Sequence, residues 1–185
     1  MFREIERKYG TPRELVMSFP MNPKEFEMLL ASMKDGRNSD VTMFIFKDDK
    51  VIVIAKPWYP EGLYRAPSGG IKPGEDLELT AKREAYEETG TEIALEKYIL
   101  RIQVTFTCNG KKREWISHVF TARYLSGDLR PIDTQEIKKV TQMSLDDLSS
   151  LEPELIKQNS GGLKYRAALT EAAIAEIKAE KSRDV

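Results

Sequence analysis

Apolar residues recur along this chain with different periods. Behind Asn22-Pro23, Phe26, Leu29, Leu30 and Met33 fall at spacings of three, four and seven, which predicts a helix. Two nearly continuous apolar runs follow, VTMFIFK at 41–47 and VIVIAK at 51–56, separated by charged residues. They predict a β-hairpin with a short polar turn. Between 77 and 89 the period returns to that of a helix, with Asp76 placed to cap its start and Gly90 to end it. The long β-rich stretches 92–108 and 111–125 flank Asn109-Gly110, the strongest short hairpin signal. A short strand is expected within 136–145, and a closing helix from Leu163 to Lys181 behind a Ser-Gly-Gly loop. Strands, helix, strands and helix in that order predict an α/β (α+β) sandwich around a mixed sheet.

The polar intervals set the organisation. DGRNSD at 35–40 reads as a linker. It divides the chain into an N-terminal helical extension, 1–40, and a main domain, 41–185. The segment 57–76 holds four prolines and four glycines and cannot be one regular element. A loop that long inside a small domain is more often functional than idle.

Composition narrows the function classes. The 185 residues are 41% hydrophobic and 32% charged, with a net charge of −1. That is enough apolar material for a core, and it lacks the basic excess of a general nucleic-acid binder. A single cysteine excludes an internal disulfide and a multi-cysteine zinc site. The start, MFREIERKYG, has no apolar stretch of the kind a signal peptide needs, and no run approaches the ~20 residues that span a bilayer. A cytoplasmic protein without membrane partners is the expectation.

The chemistry concentrates in GGIKPGEDLELTAKREAYEETG, residues 69–90. Glu84, Glu87 and Glu88 stand at i, i+3 and i+4, within one sector of the helix at about 100° per residue. Like charges at this spacing repel, and near a helix C-terminus the macrodipole disfavours them further. Leu77, Ala81 and Ala85 form the apolar line beside that sector, so the carboxylates should edge into the protein body. Buried acids need partners. Arg83 can pair with Glu87, leaving Glu84 and Glu88 for a hard cation, Mg²⁺ or Mn²⁺, under a glycine-rich loop. A solvated acidic face is the competing reading.

This stretch resembles the signature of the Nudix hydrolase (MutT-like) superfamily, G-x5-E-x7-R-E-U-x-E-E-x-G-U, where U is a bulky aliphatic residue. Gly69, Glu75, Arg83, Glu84, Glu87, Glu88 and Gly90 match its fixed positions in register; Ala85 and Thr91 stand at the U positions. The looser likeness spans about 41–150. It implies a Nudix-type α/β/α sandwich with a mixed central sheet, plus the N-terminal extension and a C-terminal helix. It implies hydrolysis, by metal-activated water, of the pyrophosphate bond of a nucleoside diphosphate linked to another moiety: ADP-ribose, a nucleotide sugar or a nucleoside triphosphate. By the same likeness Glu84 and Glu88 are the main metal ligands, and Glu87 is a third ligand or the partner of Arg83. The backbone carbonyl of Ser68 is a further ligand, while Gly69, Glu75, Arg83 and Gly90 support the site. The general base is Glu87, Glu88 or a residue outside the motif, for which Glu136 is best placed, ahead of Asp133 and Glu114.

Other residues carry weaker signals. Trp58, Tyr59 and Tyr64 either stack on a nucleobase or pack the long loop, and Arg65 meets a phosphate or an acid. His118 in a strand pattern and Cys108 beside the Asn-Gly turn read as structural; Tyr165 and Arg166 read as packing at the start of the closing helix. The 99–111 region carries none of the subfamily markers for ADP-ribose, dinucleoside polyphosphates or NADH. A nucleotide-derived small molecule is the expected partner. A homodimer through the first forty residues is expected too, although these read as helical where dimerising relatives often have strands. A catalytically silent nucleotide-sensing module of the same fold is the alternative; an isomerase on this fold would want a cysteine in another context than Cys108.

Overall fold

The continuous apolar runs settle into the middle of a mixed seven-stranded sheet in the computed structural model, which describes residues 2–183. The elements are α1 (Phe2–Tyr9), β1 (Arg13–Pro20), α2 (Pro23–Ser32), β2 (Ser39–Lys47), β3 (Lys50–Ala55), β4 (Ser68–Gly70), α3 (Leu77–Thr89), β5 (Thr91–Cys108), β6 (Lys111–Gly127), β7 (Lys139–Met143), α4 (Leu145–Ser149), α5 (Glu152–Lys157) and α6 (Gly161–Arg183). Strand order is β1-β5-β6-β2-β3-β7, with β4 pairing to β2 off this path. The β1–β5 and β2–β6 ladders are parallel and the others antiparallel.

Because side chains alternate along a strand, β2 feeds two cores. Val41, Met43 and Ile45 pack on one face with Leu77, Ala81 and Ala85 of α3. Phe44 packs on the other with Leu169, Ala173 and Ile177 of α6. The result is an α/β/α sandwich. The predicted capping devices are in place. Asp76 accepts the N–H groups of Glu78 and Leu79 at the start of α3, and Gly90 ends it at φ 70°. Asn109 and Gly110, at φ 48° and 78°, turn β5 into β6. Beyond those predicted, Asn22 and Glu25 form a reciprocal capping box on α2.

The first forty residues hold more than helix. Residues 13–20 form an edge strand parallel to β5, in which Leu15, Met17 and Phe19 pack against the α6-side core and Val16 is exposed. Among the described residues no helix is long and apolar enough to cross a membrane.

His118, on β6, is fully buried on the α3 side of the sheet, and Cys108 is buried at the hairpin end. The Tyr98 hydroxyl lies 2.5 Å from His118 Nδ1, an arrangement satisfied by a neutral ring accepting the phenol proton. Tyr98 in turn stacks on Phe120. Burial pushes the His118 pKa down from 6.5 to about 4. Below pH 6.5 the unfolded chain binds a proton at this position that the folded chain refuses, so stability falls as pH drops from 6.5 towards 4. The expected loss is about 3 kcal/mol. Urea unfolding of the wild type and His118→Gln at about pH 7 and pH 4.5 checks this: the wild type should lose more stability between the two pH values. Equal losses would remove His118 as the cause.

Candidate active site

Local rules bring the acidic residues to one place. β4 is only three residues long and is held on one side by β2, with Ser68 opposite Thr42 and Gly69 opposite Val41. The α3 helix packs beside it, carrying Glu84 and Glu88 inward on the flank of its apolar line. The loop from Arg130 to Ile137 closes the far side. The Arg130 N–H donates to the Thr89 carbonyl, and the Ile132 and Asp133 N–H groups donate to that of Glu87. These bonds occupy carbonyls that a helix C-terminus leaves without partners. Gly90 is required twice here, for its positive φ and because a Cβ would meet the carbonyl oxygen of Asp128 at 2.7 Å.

Together these elements enclose a cavity of about 310 Å³ lined by Arg37, Ser68, Gly69, Gly70, Lys72, Arg83, Glu84, Glu87, Glu88, Asp133 and Glu136. The side chain of Glu84 is 14% exposed and that of Glu88 only 4%. Glu84 and Glu88 thus enter the protein body, whereas the Glu87 side chain stays 46% exposed. Burial raises the Glu84 pKa from its ordinary value, with Arg83 opposing the shift.

Each acid has a cationic partner. Arg83 clamps Glu75 through Nε (2.9 Å) and Nη2 (3.0 Å), and gives Nη1 to Glu84 (2.6 Å) and Glu87 (3.1 Å). The clamp pulls the Glu75 pKa down to about 2. Arg83 thus takes Glu84 as well as Glu87, where pairing with Glu87 alone was expected. Glu88 accepts the Ser68 backbone N–H at 2.8 Å and the Lys56 ammonium at 3.1 Å, and Arg65 Nη2 lies 3.8 Å away. Lys56 also donates to Glu136 at 3.2 Å. Lys56 went unnoticed in the sequence; its only signal is a lysine closing the apolar run VIVIAK. Arg37, from the linker, also lines the cavity unforeseen.

The other expected residues divide. Arg65 is buried, donating to Ser68 Oγ at 2.6 Å and to the Ala66 carbonyl. Trp58 is 65% exposed with Lys56 Nζ 6.0 Å from its ring centre, and it does not line the cavity. Tyr64 is buried in the α6-side core and does not line the cavity. Asp133 accepts the N–H groups of Gln135 and Glu136, shaping the loop that carries Glu136. Glu114 sits opposite Thr105 in the β5–β6 hairpin, away from the cavity.

A hard divalent cation fits these donors. They are all oxygens, and Gly69 makes room for one of them: a Cβ there would fall inside the Glu84 carboxyl group. Among the described residues no three acidic, imidazole or thiol groups are already gathered as a metal centre, since Arg83 and Lys56 hold the carboxylates instead.

A model of the NUDIX domain matches residues 36–166. An NAD-capped RNA hydrolase NudC from Photobacterium profundum is 26% identical over 114 residues, which are 62% of this chain and 40% of that protein. The chain therefore spans well under half the length of that relative. An RNA pyrophosphohydrolase from Wolbachia sp. subsp. Brugia malayi is 30% identical over 132 residues, 64% of this chain and 82% of that one. Among solved structures, a NUDIX hydrolase from Nitrosomonas europaea superposes with a TM-score of 0.53 at 25% identity, covering 75% of this chain and 88% of the other.

Removing Lys56 leaves Glu88 buried with the Ser68 N–H and, as its one remaining cation, a guanidinium 3.8 Å away. Lys56→Met should cost about 3 kcal/mol of unfolding free energy in chelator-treated protein, and adding Glu88→Gln should restore most of it. Urea denaturation of the two variants measures both. A loss below about 1 kcal/mol would mean that the pair is solvated.

Proposed function

The chain belongs to the Nudix family, and from that premise we propose that it hydrolyses the pyrophosphate bond of a nucleoside diphosphate linked to another moiety, using Mg²⁺ or Mn²⁺. One observation carries this reading: Glu84, Glu87 and Glu88 line a single cavity together with the Ser68-Gly69 backbone. The names of the RNA-directed relatives support a phosphoanhydride substrate.

In this reading Glu84, Glu88 and the Ser68 carbonyl hold the cation, and Glu87 is a third ligand or the partner of Arg83. When bound, the cation neutralises phosphate charge and acidifies the attacking water. Arg83 and Glu75 fix where α3 presents its carboxylates. Glu136, whose side chain is 66% exposed on the closing loop, can accept the proton of the incoming water; Glu87 or Glu88 could serve in its place. Lys56 keeps Glu136 beside Glu88. Trp58, exposed and next to Lys56, can stack on a nucleobase.

A panel of nucleoside triphosphates, ADP-ribose, nucleotide sugars, NADH and dinucleoside polyphosphates tests the proposal, with products separated by chromatography. The wild type should cleave at least one class only when Mg²⁺ or Mn²⁺ is present. Glu88→Gln should lower that rate about 10³-fold while remaining folded, and Glu136→Gln should lower it less if a motif glutamate is the base. Tight nucleotide binding without cleavage anywhere in the panel would favour the sensing module.

A further inference from the structure

The arginines of the cavity are used differently. Arg83 gives its donors to three glutamates. Arg37 lines the same cavity, yet its guanidinium makes no ion pair and no hydrogen bond among the described residues. Its place is set by Gly70. A Cβ on Gly70 would lie 2.8 Å from Arg37 Nη1 and 2.9 Å from Nε, so the guanidinium rests on the bare Cα. Gly70 does not have a positive φ, unlike seven other glycines of this chain. Its backbone suits any residue, and the Arg37 side chain is what needs the hydrogen. Lys72, two residues on, is exposed on the same wall, and its ammonium makes no ion pair among the described residues.

Neighbouring residues of a strand face opposite ways, with a rise of about 3.3 Å each. The Glu84 carboxyl lies against Gly69 on one face of β4, and Arg37 lies against Gly70 on the other. The carboxylates and the uncommitted cations therefore meet different parts of anything laid across this strand. A planar guanidinium fork with free donors is suited to phosphate oxygens.

We propose that Arg37, seated on Gly70 and seconded by Lys72, binds a third phosphate group, beyond the two joined by the bond that is cut. The site would then favour a polyphosphate end, such as that of a nucleoside triphosphate, over a nucleoside diphosphate sugar. This rests on the hydrolase reading above for the position of the cut, but the phosphate site itself can be read separately.

The probes are inorganic pyrophosphate and tripolyphosphate, titrated calorimetrically into the whole chain at fixed free Mg²⁺. Arg37→Gln should weaken tripolyphosphate about tenfold and pyrophosphate less than about twofold, with Arg37→Lys intermediate. Gly70→Ala displaces only the end of a flexible side chain, so it should stay folded by circular dichroism and reproduce the Arg37→Gln loss. The double variant should be no worse than either single one. Equal weakening of both probes, or none, would overturn the proposal, as would a wild type blind to tripolyphosphate. If the wild type discriminates as expected yet cleaves no nucleotide, the hydrolase reading fails and the phosphate site stands. If it cleaves nucleotides and Arg37→Gln leaves its preference for triphosphates over nucleotide sugars unchanged, the phosphate site fails alone.

Discussion

Three carboxylates within one turn and a quarter of a helix, two of them drawn into the protein body, are the constraint to which the rest of this structure answers. Neither the helix nor its dipole favours them, and burial raises the cost for Glu84 and Glu88. The chain meets that cost with cations of its own. Arg83 reaches Glu75, Glu84 and Glu87; Lys56 reaches Glu88 and Glu136. Buried pairs of this kind contribute little net stability against apolar residues of the same size. Their presence is better explained by what the carboxylates can do when a harder cation competes for them.

The scaffold around them consists of close approaches. Gly69 lets Glu84 lie on β4, and Gly90 lets the Arg130 carbonyl come up to the end of α3. The 130–137 loop ties itself to that same end through backbone bonds to Thr89 and Glu87. It thereby carries Asp133 and Glu136 to the cavity without any sequence proximity to the helix. Both sheet faces are covered by packed cores, which fixes the strands and α3 against each other.

What was legible in the sequence was what local rules decide. The α3 boundaries, its Asp76 and Gly90 caps, the Asn109-Gly110 turn and the central hairpin all follow from residues a few positions apart. The strand at 13–20 was missed although Leu15, Met17 and Phe19 alternate, because its partner in β5 lies far along the chain and nothing local marks the pairing. β4, at three residues, has no period to read. The carboxylates were visible because they share one helix. Their partner Lys56 was not, since it stands 32 residues from Glu88 and 80 from Glu136. Tyr64 and Trp58 share a loop and look alike in sequence, yet only the fold separates the buried ring from the exposed one.

We propose that these carboxylates hold a divalent cation. Anomalous diffraction from crystals of the wild type soaked in Mn²⁺ tests it most directly. A peak is expected in the cavity beside Glu84, Glu88 and the Ser68 carbonyl, with the Lys56 ammonium withdrawn from Glu88. A cavity without a peak, with the Lys56–Glu88 pair unchanged at saturating Mn²⁺, would contradict it.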